Sequence, residues 1–154
     1  MKNRKTERFA VDLFAGCGGL SEGLKQAGFS VIAGVENNQN AVKAYKMNHR
    51  ETVLFNEDIR KIDTTKILKL LDGSPLHLLA GCPPCQGFST LRPLNREAPH
   101  QGKRNRLINQ YYRFVEELNP TTIMLENVPG IVENSLFKSF TEKLKKLGYA
   151  INYK

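Results

Sequence analysis

The chain has 154 residues, 40% of them hydrophobic and 25% charged, and its 23 Lys and Arg against 15 Asp and Glu give a formal net charge of +8. That length suits one domain, and no apolar run approaches the roughly 20 residues that span a bilayer. Three cysteines, without Cys/His spacing of the zinc type, argue against a disulfide framework or a structural metal. The basic excess favours a polyanionic partner, and the charged start, Met1 to Arg8, with no signal-type apolar segment behind it, predicts an intracellular protein.

In chain order, Phe9 to Phe14 reads as a short buried strand and Ala15 to Gly19 as a glycine turn. Leu20 to Ala27 has helical spacing, stopped by Gly28. Ser30 to Val35 is a second strand, Gln39 to Asn48 a helix, and Val53 to Phe55 a weak third strand. Asp63 to Leu71 is amphipathic and ends at Asp72-Gly73-Ser74-Pro75. Leu76 to Ala80 makes the fourth strand. Gly81 to Lys103 shows no periodicity and is too long for a routine connection, so it reads as a functional or mobile loop. Arg104 to Leu118 is a helix, Thr121 to Leu125 the fifth strand, and Ser135 to Leu147 a last amphipathic helix. Tyr149 to Tyr153 could begin a sixth strand. Alternating strands and helices predict an α/β fold with a mostly parallel sheet of five to six strands covered on both faces. One sheet edge is expected to be unfinished.

Asp12-Leu13-Phe14-Ala15-Gly16-Cys17-Gly18-Gly19 joins a strand to a helix. Gly16, Gly18 and Gly19 permit a tight turn and close approach of a ligand to the main chain. Glu36, with Asn37 beside it, follows the second strand 20 residues after Gly16, where an acid can accept from two ribose hydroxyls. Asp58 follows the third strand and offers an acceptor for an adenine amino group, while Ile59 offers an apolar face. Together these point to a nucleoside-containing cofactor, though Gly-x-Gly-Gly is not the dinucleotide spacing and nothing marks a pyrophosphate site. As isolated residues, Glu36 and Asp58 are ordinary loop acids.

The loop Gly81-Cys82-Pro83-Pro84-Cys85-Gln86-Gly87-Phe88-Ser89 follows the fourth strand. A thiol in an irregular loop at the mouth of an α/β sheet is a candidate nucleophile. Glu126-Asn127-Val128 follows the fifth strand, 41 residues after Cys85. Cys82 and Cys85 also spell Cys-x-x-Cys, but no helical pattern follows Cys85, which speaks against a disulfide oxidoreductase. Burial as inert cysteines suits Cys82 better than Cys85.

Taken together, Phe14-Ala15-Gly16-Cys17-Gly18-Gly19, Glu36, Asp58-Ile59, Pro84-Cys85-Gln86 and Glu126-Asn127-Val128 resemble the cytosine-C5 DNA methyltransferases, from about Phe9 to Gly148. The resemblance implies a Rossmann-like S-adenosylmethionine-dependent fold and methyl transfer to carbon 5 of cytosine in double-stranded DNA, as in DNA methylation by restriction-modification systems. It implies Cys85 as the thiolate that adds to ring carbon 6, and Glu126 as the group that holds and protonates ring nitrogen 3. Pro84 would shape the turn presenting Cys85, and Asn127 would fix the loop carrying Glu126. Phe14 would pack against the adenosine, Glu36 bind its ribose, and Asp58 with Ile59 its adenine. No metal is implied, S-adenosylhomocysteine is the product, and the target base must leave the duplex stack.

Arg92 to Arg106 contains four Arg, one Lys, one Glu and one His, which suits phosphate contact; in the family this loop closes over the flipped base, with Gly87 and Gly102 as candidate hinges. Such a run can equally be a solvated basic surface loop. The family's Gln-x-Arg-x-Arg segment, its target-recognition region and its last cofactor-pocket segment have no counterpart in residues 1–154. The expectation is a partial catalytic domain that needs a C-terminal half, supplied by a second polypeptide or lost by truncation. The alternatives are a catalytically incomplete S-adenosylmethionine or nucleic-acid-binding fragment, and a transfer-RNA methyltransferase relative that shares Pro-Pro-Cys-Gln.

Overall fold

The computed structural model describes residues 7–84 and 107–153. The elements are β1 (Arg8–Leu13), α1 (Gly19–Gln26), β2 (Phe29–Val35), α2 (Gln39–Asn48), β3 (Val53–Phe55), α3 (Thr65–Leu71), β4 (Leu76–Gly81), α4 (Leu107–Leu118), β5 (Thr122–Leu125) and α5 (Ser135–Lys146). Two 3-10 turns, Ile59–Lys61 and Pro129–Glu133, were not anticipated from periodicity; segments that short carry too few turns to show one.

The five strands form one sheet in the order β3-β2-β1-β4-β5, every neighbouring pair parallel. β1 lies at the centre and is buried from Phe9 to Leu13, as a parallel strand covered on both faces must be. Its side chains alternate. Phe9, Val11 and Leu13 join Ile67, Tyr111, Phe114, Phe140 and Leu144 in the larger core, whereas Ala10 meets Leu24, Val31, Leu78 and Ala80 on the other face. The Tyr111 hydroxyl lies 2.8 Å from Leu79 O and 3.0 Å from Met124 O, so α4 grips β4 and β5 by their backbones.

Helix ends follow local chemistry. Asn38 caps α2 by accepting from Asn40 N and Ala41 N at 3.0 and 3.1 Å. Asn134 caps α5 by accepting from Leu136 N and Phe137 N. α1 starts differently: its N-cap is Gly18, which has no side chain to offer.

The expected sixth strand is not formed. Residues 149–153 run as irregular chain. Tyr149 donates its hydroxyl to Pro120 O at 2.5 Å, and Tyr153 packs its ring 6.1 Å from that of Phe137 on α5. These aromatic anchors tie the segment to Pro120, ahead of β5, and to α5, without pairing it in register with β5. β5 remains an edge strand among the described residues, with Met124 42% exposed.

Candidate active site

A cleft of about 570 Å³ opens at the carboxyl ends of β1 to β4, the usual ligand position in a parallel α/β sheet. Phe14, Glu36, Asn37, Asp58, Ile59 and Pro84 all line it, joined by Cys82, Arg60 and Leu107. Six residues singled out on sequence grounds, from four separate connections, therefore share one cavity. Pro84 is exposed at its rim.

The glycine turn is tied to Glu36. Gly16 N donates to Glu36 Oε2 at 2.9 Å, while Asn37 N and Asn38 N donate to Oε1 at 2.8 and 2.7 Å. A carboxylate offers about four lone-pair positions, so these bonds leave room for about one further donor. Phe14, at φ 60, is a non-glycine residue in the left-handed region. Gly16, at φ +54, has open space where a Cβ would stand, so none of the described residues blocks a ligand there.

Gly18 is oriented otherwise. It is buried at φ +96, and its N–H donates to Ala15 O at 2.9 Å. A Cβ on it would stand 2.3 Å from His49 Nε2. Its lack of a side chain is used by the protein interior. Gly19 faces open space.

Asp58 caps the 3-10 turn after β3, accepting from Arg60 N at 3.0 Å, and pairs with the Arg60 guanidinium through both oxygens. Those Arg60 bonds hold its pKa down at about 2. It lines the cleft as an ionised acceptor that already has a partner.

The loops after β4 and β5 are joined. Glu126 N donates to Gly81 O at 3.1 Å, and Asn127 Nδ2 donates to Pro83 O at 3.0 Å while its Oδ1 accepts from Val128 N at 2.9 Å. The Glu126 side chain is exposed. Cys85, the loop residues Gly87, Ser89 and Gly102, and the basic run to Arg106 lie outside the described residues.

Behind the turn is a polar cluster that the motif reading did not single out. Asp12 is fully buried on the α1 face of β1, and its Oδ2 accepts from Ser21 Oγ at 2.7 Å. Ser21 Oγ in turn lies 2.7 Å from Tyr45 OH. Asp12 Oδ1 has no hydrogen-bond partner among the described residues. Burial raises the Asp12 pKa to about 6, against the pull of the Ser21 bonds and with a small push from the Glu36 charge. Burial also raises the Tyr45 pKa. A usable signal was present: an Asp inside an otherwise apolar strand must find a partner. Among the described residues, no group of three His, Cys, Asp or Glu could hold a metal ion, and no helix is long and apolar enough to cross a membrane.

Residues 9–154 match the C-5 cytosine-specific DNA methylase family. The type II methyltransferase M.AgeI of Thalassovita gelatinovora is 37% identical over 145 residues, which is 91% of this chain and 33% of that protein. A solved structure described as a DNA modification methyltransferase encoded within a prophage (E. coli) superposes with a TM-score of 0.73 at 33% identity, covering 92% of this chain and 37% of the other. DNMT2 of Spodoptera frugiperda gives a TM-score of 0.70 at 27% identity, covering 91% and 41%. The chain thus spans between a third and about two-fifths of the length of these relatives. By fold, by the residues gathered in its cleft and by the match across nearly its whole length, the chain belongs to the C-5 cytosine-specific DNA methylases.

Proposed function

We propose that this chain is the cofactor-binding and nucleophile-bearing part of an enzyme that methylates carbon 5 of cytosine in double-stranded DNA, using S-adenosylmethionine. The observation that carries the proposal is the shared cleft of Phe14, Glu36, Asn37, Asp58, Ile59 and Pro84. The residues fit the cofactor: the cleft pairs an aromatic and an aliphatic face with the carboxylates of Glu36 and Asp58, and the open space at Gly16 leaves the main chain approachable. When bound, S-adenosylmethionine supplies a methyl group on an activated sulfonium.

The chain's own residues then divide the work. Phe14 and Ile59 cover the nucleoside, and Glu36 accepts from a ribose hydroxyl with its remaining lone pair. Asp58 receives the adenine amino group beside Arg60. Cys85 adds its thiolate to ring carbon 6 of the flipped base, and Glu126 holds and protonates ring nitrogen 3 as the thiolate adds. Once carbon 5 has taken the methyl group, a base removes its proton, the 5–6 double bond re-forms, ring nitrogen 3 returns its proton to Glu126 and the Cys85 thiolate leaves. Asn127 supports this by tying the loop of Glu126 to Pro83, two residues before Cys85.

The rest of the catalytic domain, in the same polypeptide or in a second one, would dock along β5. An apolar groove of about 420 Å³ runs there, between Ile123, Leu125, Phe137, Phe140, Leu144 and Tyr149. The deciding experiment supplies the C-terminal half of a relative in trans and adds DNA carrying a fluorinated cytosine. A covalent adduct on Cys85, lost in Cys85→Ser and kept in Cys82→Ser, is expected. Folded protein with cofactor bound but no adduct would support a binding fragment, and an adduct formed on transfer RNA but not on DNA would reassign the substrate.

A further inference from the structure

Tyr45 on α2 and His49, the residue that caps its C-terminus, reach through spaces that glycines leave open and grip the cofactor turn from behind. Tyr45 and His49 are both buried, with ring centroids 4.6 Å apart. A Cβ on Gly34 would stand 2.9 Å from Tyr45 OH, and one on Gly18 2.3 Å from His49 Nε2. His49 Nε2 lies 3.0 Å from Gly18 O, and His49 Nδ1 lies 2.8 Å from Lys25 Nζ. Lys25 also pairs with Glu51.

The partners dictate the tautomer. An ammonium can only donate, so Nδ1 must accept; a carbonyl can only accept, so Nε2 carries the hydrogen. Gly18 O then receives two donors, His49 Nε2–H and Glu22 N at 2.9 Å. Gly18 is the left-handed residue that ends the turn and opens α1. Its neighbour Gly16 is fastened to Glu36 at the cleft.

We propose that His49, locked as its Nε2–H tautomer between Lys25 and Gly18 O, is a positioning residue for the cofactor turn, holding Gly18 and through it the Phe14–Gly19 loop. The inference rests on the cofactor reading of the cleft only for its effect on binding; the clamp itself is a property of the protein alone. Tyr45 does the companion task through Ser21, so that both ends of the first turn of α1 are held by α2.

Three variants test it: His49→Leu, which removes the donor; His49→Gln, whose amide nitrogen can replace it; and Lys25→Met, which leaves Nδ1 without its ammonium. Nitrogen-detected NMR of the imidazole should show hydrogen on Nε2 in the parent and, because Gly18 O still accepts, in Lys25→Met as well, with the Nδ1 resonance shifted by loss of its ammonium donor. Amide exchange at Glu22 should accelerate about tenfold in His49→Leu and return to near the parental rate in His49→Gln. Titration with S-adenosylhomocysteine should show binding weakened about tenfold in His49→Leu and within about twofold of the parent in His49→Gln. Hydrogen on Nδ1 in the parent, or unchanged Glu22 exchange in folded His49→Leu, would overturn the clamp. Should His49→Leu not fold, an Nδ1 resonance unmoved in Lys25→Met, or hydrogen on Nδ1 in the parent, refutes the lock. If the parent binds no S-adenosylhomocysteine, the cofactor reading fails, while the tautomer and exchange measurements still decide the clamp.

Discussion

Asp12→Asn should abolish a pH dependence of stability that one buried carboxyl imposes. In the native protein Asp12 has a pKa of about 6, against 3.8 for an ordinary aspartate, mainly because burial disfavours its charge. Between those values the folded state keeps a proton that the unfolded chain has released. The stability this contributes is present below pH 4 and is lost as pH rises through 6. Once ionised, the group costs about 3 kcal/mol relative to an unperturbed aspartate. Asparagine can turn its carbonyl to Ser21 Oγ and place its amide where Oδ1 now lies without a partner, so the substitution removes the charge and keeps the main bond. An unpaired amide and a weaker bond to Ser21 offset about 1–2 kcal/mol of the gain at high pH. Urea unfolding of parent and variant from pH 4 to 8 cancels the other titrations. The stability difference should shift by about 3 kcal/mol in favour of the variant across that range, roughly 1.5 M in urea midpoint. Parallel curves, or a parent gaining on the variant as pH rises, would refute the assignment.

Tyr111→Phe removes the hydroxyl that meets Leu79 O and Met124 O, and should cost about 1–2 kcal/mol in urea unfolding with no change in m. Gly34→Ala forces a methyl to within 2.9 Å of Tyr45 OH and 3.1 Å of Leu54 Cδ1; a loss of about 1–3 kcal/mol is expected, partly recovered by Tyr45→Phe, which removes the oxygen it meets. Glu36→Gln replaces an acceptor-only group with one that has a single acceptor oxygen, opposite three backbone donors. Calorimetric titration should show S-adenosylhomocysteine binding at least about tenfold weaker. Under complementation, Glu126→Gln should lower kcat about 100-fold or more with the cofactor affinity unchanged; equal activity would remove Glu126 from the chemistry.

The order of elements was readable from residue types. Five apolar runs bounded by glycine, proline and asparagine matched the five strands to within one or two residues, and α2 and β3 matched at both ends. Local patterns suffice there because a covered parallel strand must be apolar along its length. The cleft was readable for a related reason: in such a sheet, connections after successive strands converge at one edge. The motif at each strand end therefore named Phe14, Glu36, Asp58 and Pro84 before any coordinate did.

Long-range pairing was not readable. Nothing local says that Tyr149 and Tyr153 anchor to Pro120 and α5 instead of extending the sheet. Nothing local says that Asn127 reaches back to Pro83. Gly18 is the clearest case. In the sequence it is one more glycine of a ligand-binding turn, and His49 is one of three scattered histidines. Only folding brings a residue from 31 positions away into the space of its missing side chain. Composition and periodicity act over a few residues, and so they determined the strands and the turns, while the motifs at the strand ends carried the resemblance to the family; which side chain fills which vacancy depends on contacts between distant segments, and the tertiary structure alone decided it.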